Sequence, residues 1–304
     1  MTIGFIGFGE AGFHIANGLR QAGAAQLAAY DINSHTPGLG EPIRRRAAQA
    51  ETRLAGTNED LIRSCEMVLS VVTSDQAARA AEQNAPYLGA GHLYADLNSV
   101  SPALKQSIAQ TIAATGARFV EIAVMAPVPP YGHRVPMLAG GEAAGEFAER
   151  LAPFGMRVEV VAREIGVAAA IKMFRSIVVK GMEALITECV LGASRYGAER
   201  LVFASLAESF PGIDWHELAD YMVGRMAVHG ERRAREMEEA AQTLRSLGIE
   251  PIMAEATARR MEWSAQLGLK AKFGGETPRG YREVLDAVAE IAVTNRTVPG
   301  RDPG

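Results

Sequence analysis

Thr2-Ile3-Gly4-Phe5-Ile6-Gly7-Phe8-Gly9-Glu10-Ala11-Gly12 is the stretch that decides the fold. Its apolar opening, Thr2–Ile6, reads as a buried strand, and an amphipathic helical pattern runs from Glu10 to Gln21. Between them Gly7-x-Gly9-x-x-Gly12 supplies the glycines of a dinucleotide turn. Gly7 permits the tight turn, Gly9 lets a pyrophosphate approach the backbone, and Gly12 lets the helix pack on the strand. The free N–H groups at the helix start then face the anion. A second strand pattern, Gln26–Tyr30, ends at Asp31, 19 residues past Gly12. Its carboxylate is placed to accept ribose hydroxyls and to repel a 2′-phosphate. Gly7, Phe8, Gly9, Glu10, Ala11, Gly12 and Asp31 are therefore the candidate cofactor contacts. The other reading is a glycine-rich turn with nothing bound. Asp31 favours NAD, while His35 and Arg44 to Arg46 keep NADP open, since an arginine can pair with a phosphate.

Outward from that turn the alternation continues to about residue 160. Strand patterns fall at Met67–Val72, Leu93–Ala95, Arg118–Ala123, Met137–Ala139 and Val158–Val161, and helical patterns at Gln76–Tyr87, Pro102–Thr115 and Glu142–Ala152. This predicts a Rossmann-type, doubly wound α/β domain with a mostly parallel sheet. Thr73, just past a strand, stands at the sheet's carboxyl edge as a further cofactor contact or as an ordinary helix cap. After Arg163 the texture changes. One helical pattern runs from Glu164 to about Ser194, and from Leu201 onward helix follows helix with almost no strand signal. The expected division is 1–163 for the α/β domain and 164–304 for an all-α domain opened by a long connecting helix. The turn-rich tail from Thr297 to Gly304 is expected to fray.

The 304 residues are 48% hydrophobic and 22% charged, enough apolar material for a large core. The formal net charge of −4 and a sequence pI of about 5.9 give no basic field for nucleic acid or anionic lipid. Arg44-Arg45-Arg46 reads as a solvated helix face. Cys65 and Cys189 form no CxxC and have no nearby His, so neither a disulfide framework nor a metal site is expected. No apolar run is long enough to span a membrane, and the first residues lack a signal peptide's basic region, so a cytoplasmic location is expected.

Three segments carry candidate chemistry. Asp96-Leu97-Asn98-Ser99-Val100-Ser101-Pro102 closes a strand and caps a helix. Asn98 and Ser99 are candidates for hydrogen-bonding a polar substrate, with helix capping by Ser99 or Ser101 as the alternative. Met125-Ala126-Pro127-Val128-Pro129-Pro130-Tyr131-Gly132 is a proline-stiffened loop after another strand. Gly166 to Ser176 opens the long helix, with Lys172 in an apolar neighbourhood and Ser176 one turn on. A lysine in such a neighbourhood is either a proton-transfer group or a snorkelling residue on a half-buried helix.

Together these segments resemble the β-hydroxyacid dehydrogenase superfamily, which includes 3-hydroxyisobutyrate and 6-phosphogluconate dehydrogenases. Its members carry an N-terminal G-x-G-x-x-G, a D-x-x-T or D-G-G-N-S substrate segment, and a G-x5-K-x3-N catalytic helix. Here Asp96-x-Asn98-Ser99 is similar to the second and Gly166-x5-Lys172 to the third. Ser176 stands where the superfamily usually has asparagine, and Met125-Ala126-Pro127 replaces its usual Ser-Gly-Gly. The stretch His229 to Met237 resembles a branch with a C-terminal helical domain of unknown function.

The resemblance implies a small-molecule hydroxy or keto acid substrate, a nicotinamide cofactor, Lys172 as general acid/base, and a homodimer formed through the helical domain. Asn98, Ser99, Pro127, Ser176 and Arg232 become the expected substrate contacts. Arg232 and Arg233 either pair with a substrate carboxylate or lie on an exposed helix of Arg–Glu pairs. Imine reduction, a decarboxylating dehydrogenase and a non-catalytic dinucleotide-binding regulator are the rival readings.

Overall fold

The computed structural model describes residues 1–297, and side chains as far as 292. The tail expected to fray lies, from residue 298 on, outside the described residues. The chain divides into two units, Met1–Lys172 and Met173–Gly304.

In the first unit β1 (Thr2–Ile6), α1 (Glu10–Gln21), β2 (Gln26–Tyr30), α2 (Gly40–Gln49), β3 (Arg53–Leu54), α3 (Asn58–Arg63) and β4 (Met67–Ser70) alternate strand and helix. They are followed by α4 (Ala77–Asn84), β5 (Leu93–Asp96), α5 (Pro102–Ala113), β6 (Arg118–Val124), β7 (Met137–Gly140), α6 (Ala144–Leu151) and β8 (Val158–Ala162), and the unit ends within the first turns of α7 (Val167–Ser194). The strands form one sheet in the order β3-β2-β1-β4-β5-β6-β7-β8. Every pairing is parallel except β6 with β7. The order reverses between β1 and β4, the topological switch point where such sheets open a crevice beyond their carboxyl ends.

The near-continuous apolar strands are explained by burial on both faces. Ile3, Phe5, Met67, Leu69, Leu93, Val120 and Ile122 face one core layer. Ile6, Val68, Tyr94 and Phe119, on the alternate positions, face the other.

Several elements depart from the sequence reading; among them, the strand expected over Met67–Val72 ends at Ser70. β3 is too short to leave an apolar run, and was missed. The helix expected over Gln76–Tyr87 breaks into a single turn at Ser74–Gln76, then α4, then a turn at Ala85–Tyr87 containing Pro86. The helices expected to begin at Glu142 and to run on to Thr115 are shorter, at Ala144–Leu151 and Pro102–Ala113. The long helix begins at Val167 rather than Glu164, because Gly166 takes a φ of +107°, outside the right-handed helical region.

The second unit is helical among the described residues. It takes the rest of α7, then α8 (Glu199–Ser209), α9 (Trp215–Ser246), α10 (Ile252–Gln266), α11 (Leu269–Lys272) and α12 (Tyr281–Thr297). Asp214 starts α9 by accepting from the N–H groups of His216 and Glu217, both at 3.0 Å. Where α9 and α10 approach, a Cβ on Gly230 would lie 2.8 Å from the Met261 carbonyl oxygen, so the missing side chain sets their spacing.

Candidate functional site

The three glycines after β1 meet three different environments. Gly7 has a φ of +85°, and a Cβ there would run into the Val71 carbonyl oxygen and lie 2.8 Å from Val72. A Cβ on Gly12 would lie 2.8 Å from the Gly7 carbonyl oxygen, so α1 packs on the turn only because that side chain is absent. Gly9, the N-cap of α1, is extended and exposed, with nothing within 4 Å of a Cβ position. The turn therefore presents an open cradle at the helix N-terminus, beside the switch point, and these residues fit a dinucleotide's pyrophosphate.

Asp31 braces this cradle from the end of β2. Its Oδ2 accepts from the Phe8 N–H at 2.8 Å, and its Oδ1 accepts from the Asn33 N–H at 2.9 Å. Phe8 itself is buried and stacks edge-on against Phe5 with centroids 6.0 Å apart, so only its backbone faces the turn. Ala11 is half-buried and Glu10 exposed in the first turn of α1. Arg44 donates to the Ser34 carbonyl at 2.6 Å and pairs with Glu41 at 3.0 Å, while Arg45 and His35 are exposed.

The loops leaving β4 and β5 are tied together by Asn98. Its Oδ1 accepts from the Val72 N–H at 2.7 Å, and its amide N–H groups go to Ser70 Oγ at 3.0 Å and to the Asp96 carboxylate. Asn98 is thus a buried brace, whereas Ser99 and Thr73, on the two loops it joins, are exposed. Thr73 makes no side-chain cap bond, and capping of α5 falls to Ser101, which accepts from the Leu104 N–H at 3.3 Å. Beneath this brace lies an ion pair that sequence reasoning missed. Lys105, on α5, is 1% exposed, lies 3.1 Å from Asp96 Oδ2 and donates to the Asp96 carbonyl at 2.6 Å.

Pro127 is exposed on the loop between β6 and β7. That loop is closed by the Met125 N–H donating to the Pro136 carbonyl at 2.8 Å and anchored by buried Val128 and Val135. His133 fits over Gly18 of α1, where a Cβ would collide with its ring. Lys172 is half-buried on α7, and Ser176, one turn on, is half-buried in the second unit. The start of α7 is held by Glu121 of β6, also missed from the sequence. This fully buried carboxylate accepts from the Gly166 N–H at 2.7 Å and the Ala168 N–H at 3.0 Å.

Arg232 and Arg233 have opposite fates. Arg232 is 63% exposed and pairs with Glu236 at 2.5 Å, the exposed-helix reading. Arg233 corrects that reading for itself. It is buried on α9, its Nε 2.7 Å from Glu183 Oε2 and its Nη2 on Oε1. Lys180, buried on α7, completes the network with Glu236 at 2.5 Å. Burial pushes the Lys180 amine down and the Glu183 carboxyl up, each opposed by its ion-pair partners.

The first unit thus brings Gly7 to Gly12, Asp31, Thr73 and Ser99 to the carboxyl ends of β1, β2, β4 and β5, and also carries Pro127 and Lys172; Ser176 and Arg232 belong to the second unit. Among the described residues no cluster of His, Cys, Asp or Glu is arranged to hold a metal, and no helix is long and apolar enough to cross a membrane.

Residues 2–145 match the NAD binding domain of 6-phosphogluconate dehydrogenase, and residues 193–264 match a domain of unknown function, DUF1932. A conserved hypothetical protein from Sinorhizobium meliloti is 39% identical, with 96% of each chain covered and a TM-score of 0.79. The conserved protein MTH1747, of unknown function and described as structurally similar to 3-hydroxyacid dehydrogenases, is 30% identical. Its TM-score is 0.74, with 91% of this chain and 100% of that one covered. The mitochondrial 3-hydroxyisobutyrate dehydrogenase of Drosophila melanogaster is 27% identical over 219 residues, 70% of this chain and 65% of that protein.

Proposed function

The chain belongs to the β-hydroxyacid dehydrogenase superfamily, in the branch with a C-terminal helical domain of unknown function, and from that premise we propose that it interconverts the secondary alcohol and ketone of a small β-hydroxy acid. The observation that carries the reading is the open Gly9 cradle at the switch point, in the same unit as a half-buried Lys172.

When bound, a nicotinamide cofactor supplies the hydride acceptor or donor. The backbone from Gly7 to Gly12 receives its pyrophosphate, and Asp31 its adenosine ribose, which favours NAD over NADP. The half-buried Lys172 amine accepts the hydroxyl proton in oxidation and returns it to the carbonyl oxygen in reduction. Ser99, Thr73 and Pro127, all carried by the first unit and all exposed, border the substrate. A homodimer is part of the reading. It is supported by Ile171, Phe174, Val178 and Leu185, which leave an apolar stripe exposed along α7.

The test is a screen of hydroxy acids with NAD and NADP, followed at the absorbance of the reduced nicotinamide, and repeated with Lys172→Ala and Lys172→Arg. Both variants are expected to lose about 10²–10⁴-fold in kcat, because alanine has no proton to move and guanidinium does not give its proton up. Activity of either within threefold of the unaltered protein refutes the mechanism.

A further inference from the structure

We propose that Glu121 is the positioning residue for Lys172: it fixes the first turn of α7 against the sheet, and so sets where the amine is presented. The proposal rests on the reading of Lys172 as the acid/base, and both residues lie in the first unit.

A buried carboxylate is costly unless something specific offsets its desolvation. Glu121 is fully buried on β6, and its register partner on β5 is Asp96, a second buried carboxylate on the same face of the sheet. The nearby ammonium, Lys105, is committed to Asp96 and to the carbonyls of Asp96 and Ile122. What Glu121 receives instead is two N–H groups at the start of α7, donors that a helix leaves unsatisfied, together with the positive end of the helix dipole. Charge-assisted bonds of this kind are about twice as strong as neutral ones.

Two glycines make this contact possible. Gly140, opposite Glu121 on antiparallel β7, has no side chain, and a Cβ there would stand 2.5 Å from Oε1. Gly166 takes its φ of +107° and donates its N–H to the carboxylate. Glu121 Oε2 is buried without a hydrogen-bond partner, so both donated bonds converge on Oε1.

Ala168 and Lys172 are one helical turn apart, about 6 Å along the axis. A shift of the pinned turn is therefore passed almost whole to Lys172. A misplacement of about 1 Å is enough to cost roughly 10²-fold in a proton-transfer step.

The experiment compares the full-length protein with Glu121→Ala and Glu121→Gln. Gln keeps an oxygen for the two N–H groups, so it serves if Ala fails to fold. Two readouts are taken on each: kcat and KM with a turned-over hydroxy acid, and the rate at which acetic anhydride acetylates Lys172 relative to Lys270, by mass spectrometry. The expected result in Ala is a kcat lower by about 10²-fold, the KM for NAD within threefold, and a labelling ratio changed threefold or more. Gln is expected between Ala and the unaltered protein on both scales. Folded variants with an unchanged labelling ratio overturn the proposal, whatever happens to kcat. A changed ratio with unchanged kcat upholds Glu121 as the anchor of α7 and overturns the catalytic reading of Lys172 instead.

Discussion

Replacing Gly9 by valine is expected to abolish cofactor binding and leave the fold intact, and the structure lets both halves be sized. Gly9 has a φ of −70° and a ψ of −159°, extended backbone that a β-branched residue accepts, and no atom lies within 4 Å of its Cβ position. Valine is a poorer N-cap than glycine by up to about 1 kcal/mol, and the lower entropy of its unfolded chain returns about 0.4–1 kcal/mol. Net stability should therefore stay within about 1 kcal/mol. Binding is different, because the side chain fills the space through which a pyrophosphate reaches the amides of α1. Loss of two charge-assisted bonds at about 1.5–3 kcal/mol each predicts an affinity lower by at least roughly 10²-fold.

Gly12→Ala is the control within the same motif. Its Cβ would stand 2.8 Å from the Gly7 carbonyl oxygen, so α1 must move off the turn. Overpacking of that kind costs about 1–3 kcal/mol, against a helix-propensity gain of about 1 kcal/mol. Denaturant unfolding and calorimetric titration with NADH separate the two effects: Gly9→Val loses binding alone, while Gly12→Ala loses binding and stability together. NADH affinity within threefold of the unaltered protein in Gly9→Val, or a stability loss there as large as in Gly12→Ala, would refute the placement of the phosphate.

Asp31→Ser is expected to raise the use of NADP relative to NAD, because the repulsion of a 2′-phosphate is removed. It should also weaken NAD itself, since the brace on the Phe8 N–H goes with the carboxylate; a tenfold preference for NADP in the unaltered protein would overturn this. Arg233→Ala should destabilise by about 3–5 kcal/mol in urea, because the Glu183 carboxylate, which is 0% exposed, loses both of its hydrogen-bonded contacts and keeps only Arg225, at 3.6 Å, as an ion-pair partner, while the paired change Arg233→Met with Glu183→Leu should recover most of the loss. The deficit of Arg233→Ala should depend on pH. Burial already pushes the Glu183 carboxyl up, and without Arg233 it rises further in the folded state. A raised carboxyl stabilises fully below its unfolded pKa, about 4.3, and that stabilisation is lost as pH climbs through the folded value. The deficit should then be small near roughly pH 4 and complete near neutrality, and an equal deficit at both would count against an under-compensated buried charge as its cause.

What was legible in the sequence was whatever the backbone decides locally. Gly7, Gly9 and Gly12 could be read because turn, approach and packing each act within a few residues, and the strands because burial on both faces leaves unbroken apolar runs. Polar side chains were read less well, since their partners lie far along the chain. Asn98 was read for its place at the sheet's carboxyl edge, and the partner that its side-chain oxygen takes, the Val72 N–H, lies 26 residues away. Glu121 sat unnoticed in a strand, and its partners at the start of α7, Gly166 and Ala168, lie 45 and 47 residues on.

Arg233 was different, because its phase along α9 could have been read. Met226, Gly230, Arg233, Met237 and Ala240 recur at spacings of four and three, and all are buried. The same phase on α7 takes in Lys180, Glu183, Thr187 and Val190, again all buried. A charged residue in step with an apolar face must either snorkel or find a counter-charge. Each helix of this pair carries such misfits, with opposite net sense at Glu183 and Arg233, so each is the other's compensation. Helical phase thus marks which charges are buried, while the pairing itself is fixed by how α7 and α9 pack within the second unit, a relation that no local spacing encodes.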